Sequence, residues 1–297
     1  MTAKKKTLRG MLTALVTPFN RDGSLDLGAL DHILELQLAS GVTGFVPCGT
    51  TGESATLSAK EREQIVSHVA QFAAGRVPVV AGAGSNNTAA AIEAQKLVAG
   101  AGADYALVAS PYYNKPTPEG LYRHYAALTE AAPIPTVLYN IPGRTAVDMK
   151  PELVGRIAKL KDIAGIKEAT GDLDRVMAIR ELCGPHFAIL CGEDNLIFPF
   201  VALGGDGVIS AAANVAPREM VDVTMAALDG VVAKARVAHA NLRPLIRALF
   251  IETNPIPAKA AMAMMGQLQE VYRLPLCEMQ PQNREQLAGV LRAGGWL

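Results

Sequence analysis

Ile163-Ala164-Gly165-Ile166-Lys167-Glu168-Ala169-Thr170-Gly171 is the stretch from which the fold is read. Its first half is a short apolar run that delivers a lysine to the carboxyl end of a strand. Gly171-Asp172 then turns the chain into a helical pattern that contains Val176, Ile179 and Leu182. Lysine is rarely buried without a partner or a task. A desolvated amine loses its charge more readily and can attack a carbonyl carbon. Lys167 is therefore either a nucleophile or the first solvated residue past its strand. The other strands decide between these readings.

Working outward from 163–167, the same unit recurs. Upstream, strand-like runs at 12–16, 44–47, 77–81, 105–108 and 136–139 alternate with helical runs at 27–39, 59–73, 88–99, 120–131 and 152–158. Downstream, strands at 187–190 and 207–210 flank a helix at 196–203. Eight such repeats fit an α/β chain folded as a (β/α)8 TIM barrel better than a doubly wound sheet. No GxGxxG stands between a strand and a helix, so the dinucleotide fingerprint is missing. Gly82-Ala83-Gly84-Ser85-Asn86 lacks the Lys-Ser/Thr of a P-loop and reads as a barrel loop. From about Pro217 the chain turns helical and rich in Ala, Met and Leu. The division expected is a catalytic barrel over residues 1–225 and a helical subdomain over 226–297, with Asn254-Pro255-Ile256-Pro257 opening one of its helices.

Composition narrows the function. Half of the 297 residues are apolar and the formal net charge is zero, so a large core is available and nucleic acid is not an expected partner. Lys4-Lys5-Lys6 is followed by no apolar segment long enough for a signal peptide, and no run approaches membrane-spanning length. A soluble, cytoplasmic chain with no membrane partner is expected. Cys48, Cys183, Cys191 and Cys277 form no CxxC pair and have no metal spacing with the five histidines. They read as reduced, mostly buried thiols, with no metal site.

Barrel chemistry sits where strands end and loops begin. Those ends here carry Gly49-Thr50-Thr51-Gly52-Glu53, Ser110-Pro111-Tyr112-Tyr113-Asn114-Lys115-Pro116, Tyr139-Asn140-Ile141-Pro142-Gly143-Arg144-Thr145 and Lys167. Lys167 can form a Schiff base with an α-keto acid, which turns the carbonyl into an electron sink for an adjacent carbanion. Tyr139, on the neighbouring strand, can carry protons to and from the attacked carbon; a lone tyrosine there is more often a packed aromatic with a satisfied hydroxyl. Thr50 and Thr51 lie in a glycine-flanked turn whose N–H groups and hydroxyls can hold a carboxylate. Arg144 offers a planar fork to a second carboxylate, although a lone arginine is more often a surface residue. Glu53 reads as a helix cap rather than a base.

Together these residues resemble a known family, the pyruvate-dependent class I aldolases of the dihydrodipicolinate synthase and N-acetylneuraminate lyase superfamily. The matching pieces are Thr17-Pro18-Phe19, Gly49 to Glu53, Pro111-Tyr112-Tyr113, Tyr139 to Thr145, Gly165-Ile166-Lys167-Glu168, Gly207-Val208-Ile209-Ser210 and Asn254 to Pro257. The chain looks most like the dihydrodipicolinate synthase branch. Thr50 stands where sialic acid lyases usually carry serine, and Arg144 is an arginine that those lyases lack.

The resemblance implies condensation of pyruvate with L-aspartate 4-semialdehyde. It implies a Schiff base at Lys167 and a relay of Tyr139, Thr50 and Tyr113, with Tyr113 reaching in from a neighbouring subunit. Thr50 and Thr51 are implied to hold the pyruvate carboxylate, Arg144 the semialdehyde carboxylate, and Ile209 to lie near Lys167. A homotetramer built as a dimer of dimers, without metal or organic cofactor, is also implied. The alternative is a sister aldolase that acts on another keto acid or sugar acid. Lysine-inhibited members bind lysine through residues matching Ser54, Ala55, Asn86 and Tyr112, but their histidines and glutamate correspond here to Ala59, Arg62 and Ala90. A lysine ammonium beside Arg62 and without that glutamate is poorly compensated, so feedback by lysine is expected to be weak or absent.

Overall fold

The computed structural model describes residues 7–132 and 134–297, so the Lys4-Lys5-Lys6 run lies outside the described residues. The strands are β1 Gly10–Ala14, β2 Gly44–Val46, β3 Val80–Gly82, β4 Tyr105–Ala109, β5 Thr136–Asn140, β6 Ile163–Glu168, β7 Ala188–Cys191 and β8 Gly207–Ser210. All pairings are parallel, in the order β2-β1-β8-β7-β6-β5-β4-β3. A parallel bridge between Phe45 and Val79 joins the two ends. The chain is thus the (β/α)8 barrel that its repeats imply.

Side chains alternate across each strand, which gives two cores. Leu12, Val46, Leu107, Val137, Leu190 and Ile209 fill the barrel interior together with Tyr139. Outward residues such as Phe45, Val108, Leu138, Ile166 and Val208 pack under the helices. Burying each large apolar side chain contributes ~1.5–3 kcal/mol. Gly165 shows how closely the strands approach one layer below Lys167. A Cβ there would lie 2.4 Å from the Ala188 carbonyl oxygen and 2.7 Å from the Ala188 Cβ.

Strand limits differ from the sequence reading for local reasons. β1 stops at Ala14 because the Val16 N–H is taken by the side chain of Asn214, at 3.1 Å. β3 starts at Val80 because the Val79 N–H goes to Asp104 Oδ2. β6 continues one residue past Lys167, and Glu168 still pairs with Asn140 and Cys191.

The outer helices are α1 Leu27–Ala39, α2 Ala59–Ala73, α3 Thr88–Gly100, α4 Pro118–Ala131, α5 Pro142–Thr145, α6 Pro151–Ile157, α7 Asp174–Cys183, α8 Ile197–Ala202 and α9 Pro217–Leu228. Sequence-local caps start several of them: Asp26 on α1, the Ser58–Glu61 capping box on α2, and Thr117 followed by Pro118 on α4. Helix α9 packs on β1, and residues 225 and 226 both fall inside it. Helices α10 Val232–Leu249, α11 Ile256–Met264 and α12 Pro281–Ala293 follow and pack on one another, with α10 also against α9. Among the described residues no helix is long and apolar enough to cross a membrane. All four cysteines are free; Cys48 and Cys191 are buried and Cys277 is exposed.

Candidate active site

Lys167 and Tyr139 are register partners on adjacent strands, both turned into the barrel. Their exposures are 7% and 6%, so Lys167 is not a solvated strand end. Its Nζ lies 4.5 Å from the centroid of the Tyr139 ring. On the far side, the turn after β7 brings Glu193 and Asp194 toward Lys167. Burial raises both carboxyls above the usual range, and the lysine charge opposes that rise. Asp194 Oδ2 is held by the N–H groups of Ala211 and Ala212, at 3.1 and 2.9 Å.

A cavity of about 700 Å³ opens at the carboxyl ends of the strands, lined by Thr50, Tyr139, Ile141, Arg144 and Asn254 among others. Lys167 does not line it directly and adjoins it across the Tyr139 ring. The turn that bears Thr50 is built from its own backbone. The Glu53 N–H donates to Thr50 O at 3.1 Å, the Ser54 N–H to Gly49 O at 3.3 Å, and the Thr17 hydroxyl to Gly52 O at 2.7 Å. Thr51 is buried beside the cavity, and its hydroxyl oxygen accepts from the Asn254 side chain at 2.9 Å. Arg144 rides on α5, a single turn in a stretch that reads as a loop. Its Nη2 donates to Asn254 O at 3.1 Å. Ile209 is 1% exposed, in the same inner cluster as Tyr139 and Leu190.

Tyr113 is not brought to Tyr139 within one chain. It is 90% exposed, has φ 72°, and does not line the cavity. A left-handed backbone is unusual for an aromatic residue and marks a position held by its surroundings or used for contact. Ser54, Ala55 and Tyr112 line the same cavity, as do Ala59, Arg62 and Ala90. Asn86 does not line it, and its carbonyl accepts from Asn114. Arg62 donates to Gly82 O at 2.5 Å and to Ser54 O at 3.3 Å. Among the described residues no group of His, Cys, Asp or Glu side chains is arranged to hold a metal.

Glu53 makes no side-chain cap. Its carboxylate is buried against Lys259 of α11 instead. Sequence reading missed this pair, and it missed Asn254 as a partner of both Thr51 and Arg144. The available signal was Lys259 itself, a lone charge in the apolar run Ile256-Pro257-Ala258-Lys259-Ala260-Ala261-Met262.

Comparison with known proteins agrees with this geometry. Residues 7–294 match the model of the dihydrodipicolinate synthetase family. The 4-hydroxy-tetrahydrodipicolinate synthase of Thermodesulfovibrio yellowstonii is 47% identical over 97% of this chain and 98% of its own. That of Syntrophus aciditrophicus is 48% identical over the same shares. The chloride-inhibited dihydrodipicolinate synthase from Acinetobacter baumannii, complexed with pyruvate, superposes with a TM-score of 0.96 at 40% identity, covering 98% of this chain and 100% of that one.

Proposed function

The chain belongs to the dihydrodipicolinate synthetase family, and we propose that it condenses pyruvate with L-aspartate 4-semialdehyde to 4-hydroxy-tetrahydrodipicolinate, a step of lysine and diaminopimelate biosynthesis. The observation that carries this reading is the buried Lys167–Tyr139 register pair beside a cavity whose wall includes Arg144.

In this reading Lys167 Nζ adds to the pyruvate carbonyl carbon and water leaves, giving an imine. Loss of a proton from the methyl carbon forms an enamine, which adds through that carbon to the aldehyde. The partner's own amine then attacks the imine carbon, closing the ring and releasing Lys167. Tyr139 moves protons at these steps, with Thr50 and a neighbouring subunit's Tyr113 completing the relay. Thr50 and Thr51 hold the pyruvate carboxylate. Arg144 holds the carboxylate of the semialdehyde at the mouth. The side chains supply all of this chemistry without a metal or organic cofactor.

The exposed, left-handed Tyr113 supports assembly into a homotetramer, a dimer of dimers, in which that residue is covered. Helices α10 to α12 act as a supporting subdomain, since Asn254, between α10 and α11, ties it to Thr51 and Arg144. A cytoplasmic location fits a biosynthetic enzyme of this kind. Borohydride reduction in the presence of pyruvate is expected to add the mass of a reduced pyruvate adduct at Lys167, and an unlabelled lysine would sink the Schiff-base reading. Rates with aspartate semialdehyde above those with a panel of sugar-acid aldehydes separate the synthase from a sister aldolase.

A further inference from the structure

The strand pair that carries Lys167 is fastened on its outer face. Alternation turns Tyr139 and Lys167 into the barrel and their successors, Asn140 and Glu168, out of it. Asn140 and Glu168 are again register partners, and they are 0% and 2% exposed. The Asn140 amide nitrogen donates to Glu168 Oε2 and to Asp148 Oδ1, each at 3.1 Å. Its oxygen accepts from the Met149 N–H at 3.0 Å. Glu168 Oε1 accepts from the Thr170 N–H at 2.9 Å. Arg175 of α7 forks onto Asp148 at 2.6 and 2.8 Å and lies 3.7 Å from Glu168.

An apolar pair at positions 140 and 168 would fill this space without burying a carboxylate and an amide. It would not supply direction. Apart from the local Thr170 contact, the hydrogen bonds here join separate backbone segments. The end of β5 is joined to the end of β6, and both are joined to the 141–149 segment that carries Arg144. None of these side chains leaves a buried polar atom without a partner, which is the condition under which such a network stiffens its surroundings.

We propose that Asn140 and Glu168 are positioning residues, a buried amide–carboxylate clamp that sets Lys167 against Tyr139 and holds the Arg144 segment to both. This inference rests on the reading of Lys167 as the Schiff-base lysine. Reacting groups must be held within about half an ångström of productive geometry by supporting hydrogen bonds. A shift of about 1 Å can cost on the order of 100-fold in rate.

The test is the rate of pyruvate trapping on the full chain: Nζ adds to the keto carbon, water leaves, and borohydride delivers hydride to the imine. Asn140→Ala and Glu168→Ala are each expected to trap about tenfold or more slowly. Glu168→Gln should recover much of that loss, because its amide oxygen still accepts a hydrogen bond. The KM for pyruvate should move less than kcat. The double alanine variant should be no slower than the worse single, since one clamp is being broken twice. Folded single variants that trap within about twofold of the unaltered chain, or losses that multiply in the double, overturn the clamp alone. No adduct on the unaltered chain overturns the Schiff-base reading and the clamp with it.

Should the alanine variants fail to fold, Asn140→Asp decides. It places a third carboxylate beside Glu168 and Asp148, with Asp172 and Glu193 nearby and Arg175 and Lys150 as the neighbouring cations among the described residues. Its trapping rate relative to the unaltered chain is expected to rise as the pH falls. A ratio that is flat with pH overturns the proposal.

Discussion

Lys259 Nζ lies 2.5 Å from Glu53 Oε1, and neither side chain reaches solvent. The ammonium also donates to Thr17 O at 3.1 Å and sits 4.4 Å from the Phe19 ring centroid. The other carboxylate oxygen accepts from the Arg273 N–H at 3.1 Å. Burial pulls the Lys259 ammonium below the usual lysine range, and Glu53 opposes that fall. Helix α11 is thereby locked to the turn that bears Thr50. Lys259→Met leaves the Glu53 carboxylate buried and unpaired and is expected to cost ~3–5 kcal/mol of stability. Lys259→Met/Glu53→Gln should cost less than the single change, because no bare charge remains. Urea unfolding of the two variants checks this. A single variant as stable as the unaltered chain would show that the pair does not hold the turn.

The Tyr139 ring lies 4.5 Å from Lys167 Nζ and lines the cavity. Tyr139→Phe keeps the packing and removes only the hydroxyl. If that hydroxyl carries protons, kcat should fall by roughly 10²- to 10⁴-fold with little change in melting temperature. A loss below about tenfold in a coupled assay takes Tyr139 out of proton transfer.

The barrel was legible because parallel βα units repeat, and each strand announces itself by a short apolar run between turns. As candidates, Lys167 and Tyr139 were legible because each ends such a run, and Thr50 and Arg144 because they stand in the turns that follow β2 and β5. What stayed hidden were partners set by three-dimensional closure. Nothing near Glu53 in sequence points to Lys259, 206 residues away. Nothing near Arg144 points to Asn254, 110 residues away. The outward Asn140–Glu168 pair was hidden because β6 runs one residue beyond its apolar stretch, a limit set by pairing and not by composition. Tyr113 shows the converse case. Only the family resemblance pointed to it, and one chain alone leaves it 90% exposed.

The part of the cavity wall with Ser54, Ala55 and Tyr112 carries Arg62 and no carboxylate at position 90, and the Glu93 carboxylate on that wall is already paired with Lys96. The guanidinium is already engaged with Gly82 O and Ser54 O. A lysine molecule entering there would bring its ammonium next to a fixed cation, an arrangement that repels. Purified enzyme assayed with pyruvate and aspartate semialdehyde should therefore keep its rate when lysine is added to low millimolar levels. Inhibition in that range would show that the amino acid is accommodated despite Arg62.

Acid should weaken the fold through the contacts of Glu61 and Asp148. The hydrogen bond from Arg273 holds the Glu61 carboxyl at about 2, against the opposing effect of burial and with help from Ser58. Burial alone would raise Asp148, but hydrogen bonds from Arg175, Lys150 and Asn140 outweigh it and bring the group to about 2. Both folded values lie below the ordinary 4.5 and 3.8, so the folded state binds fewer protons than the unfolded one in between. Their stabilisation is complete above the ordinary values and is lost as the pH falls toward 2. Glu168 has the opposite sign. Burial raises its carboxyl, so its ionised form costs stability near neutrality, and protonation on acidification relieves that cost. The melting temperature is expected to fall between about pH 5 and pH 2.5. Glu61→Gln should melt lower than the unaltered chain at pH 7 and lose less on acidification. Parallel curves for the two proteins would remove the Glu61–Arg273 contact as a source of acid sensitivity.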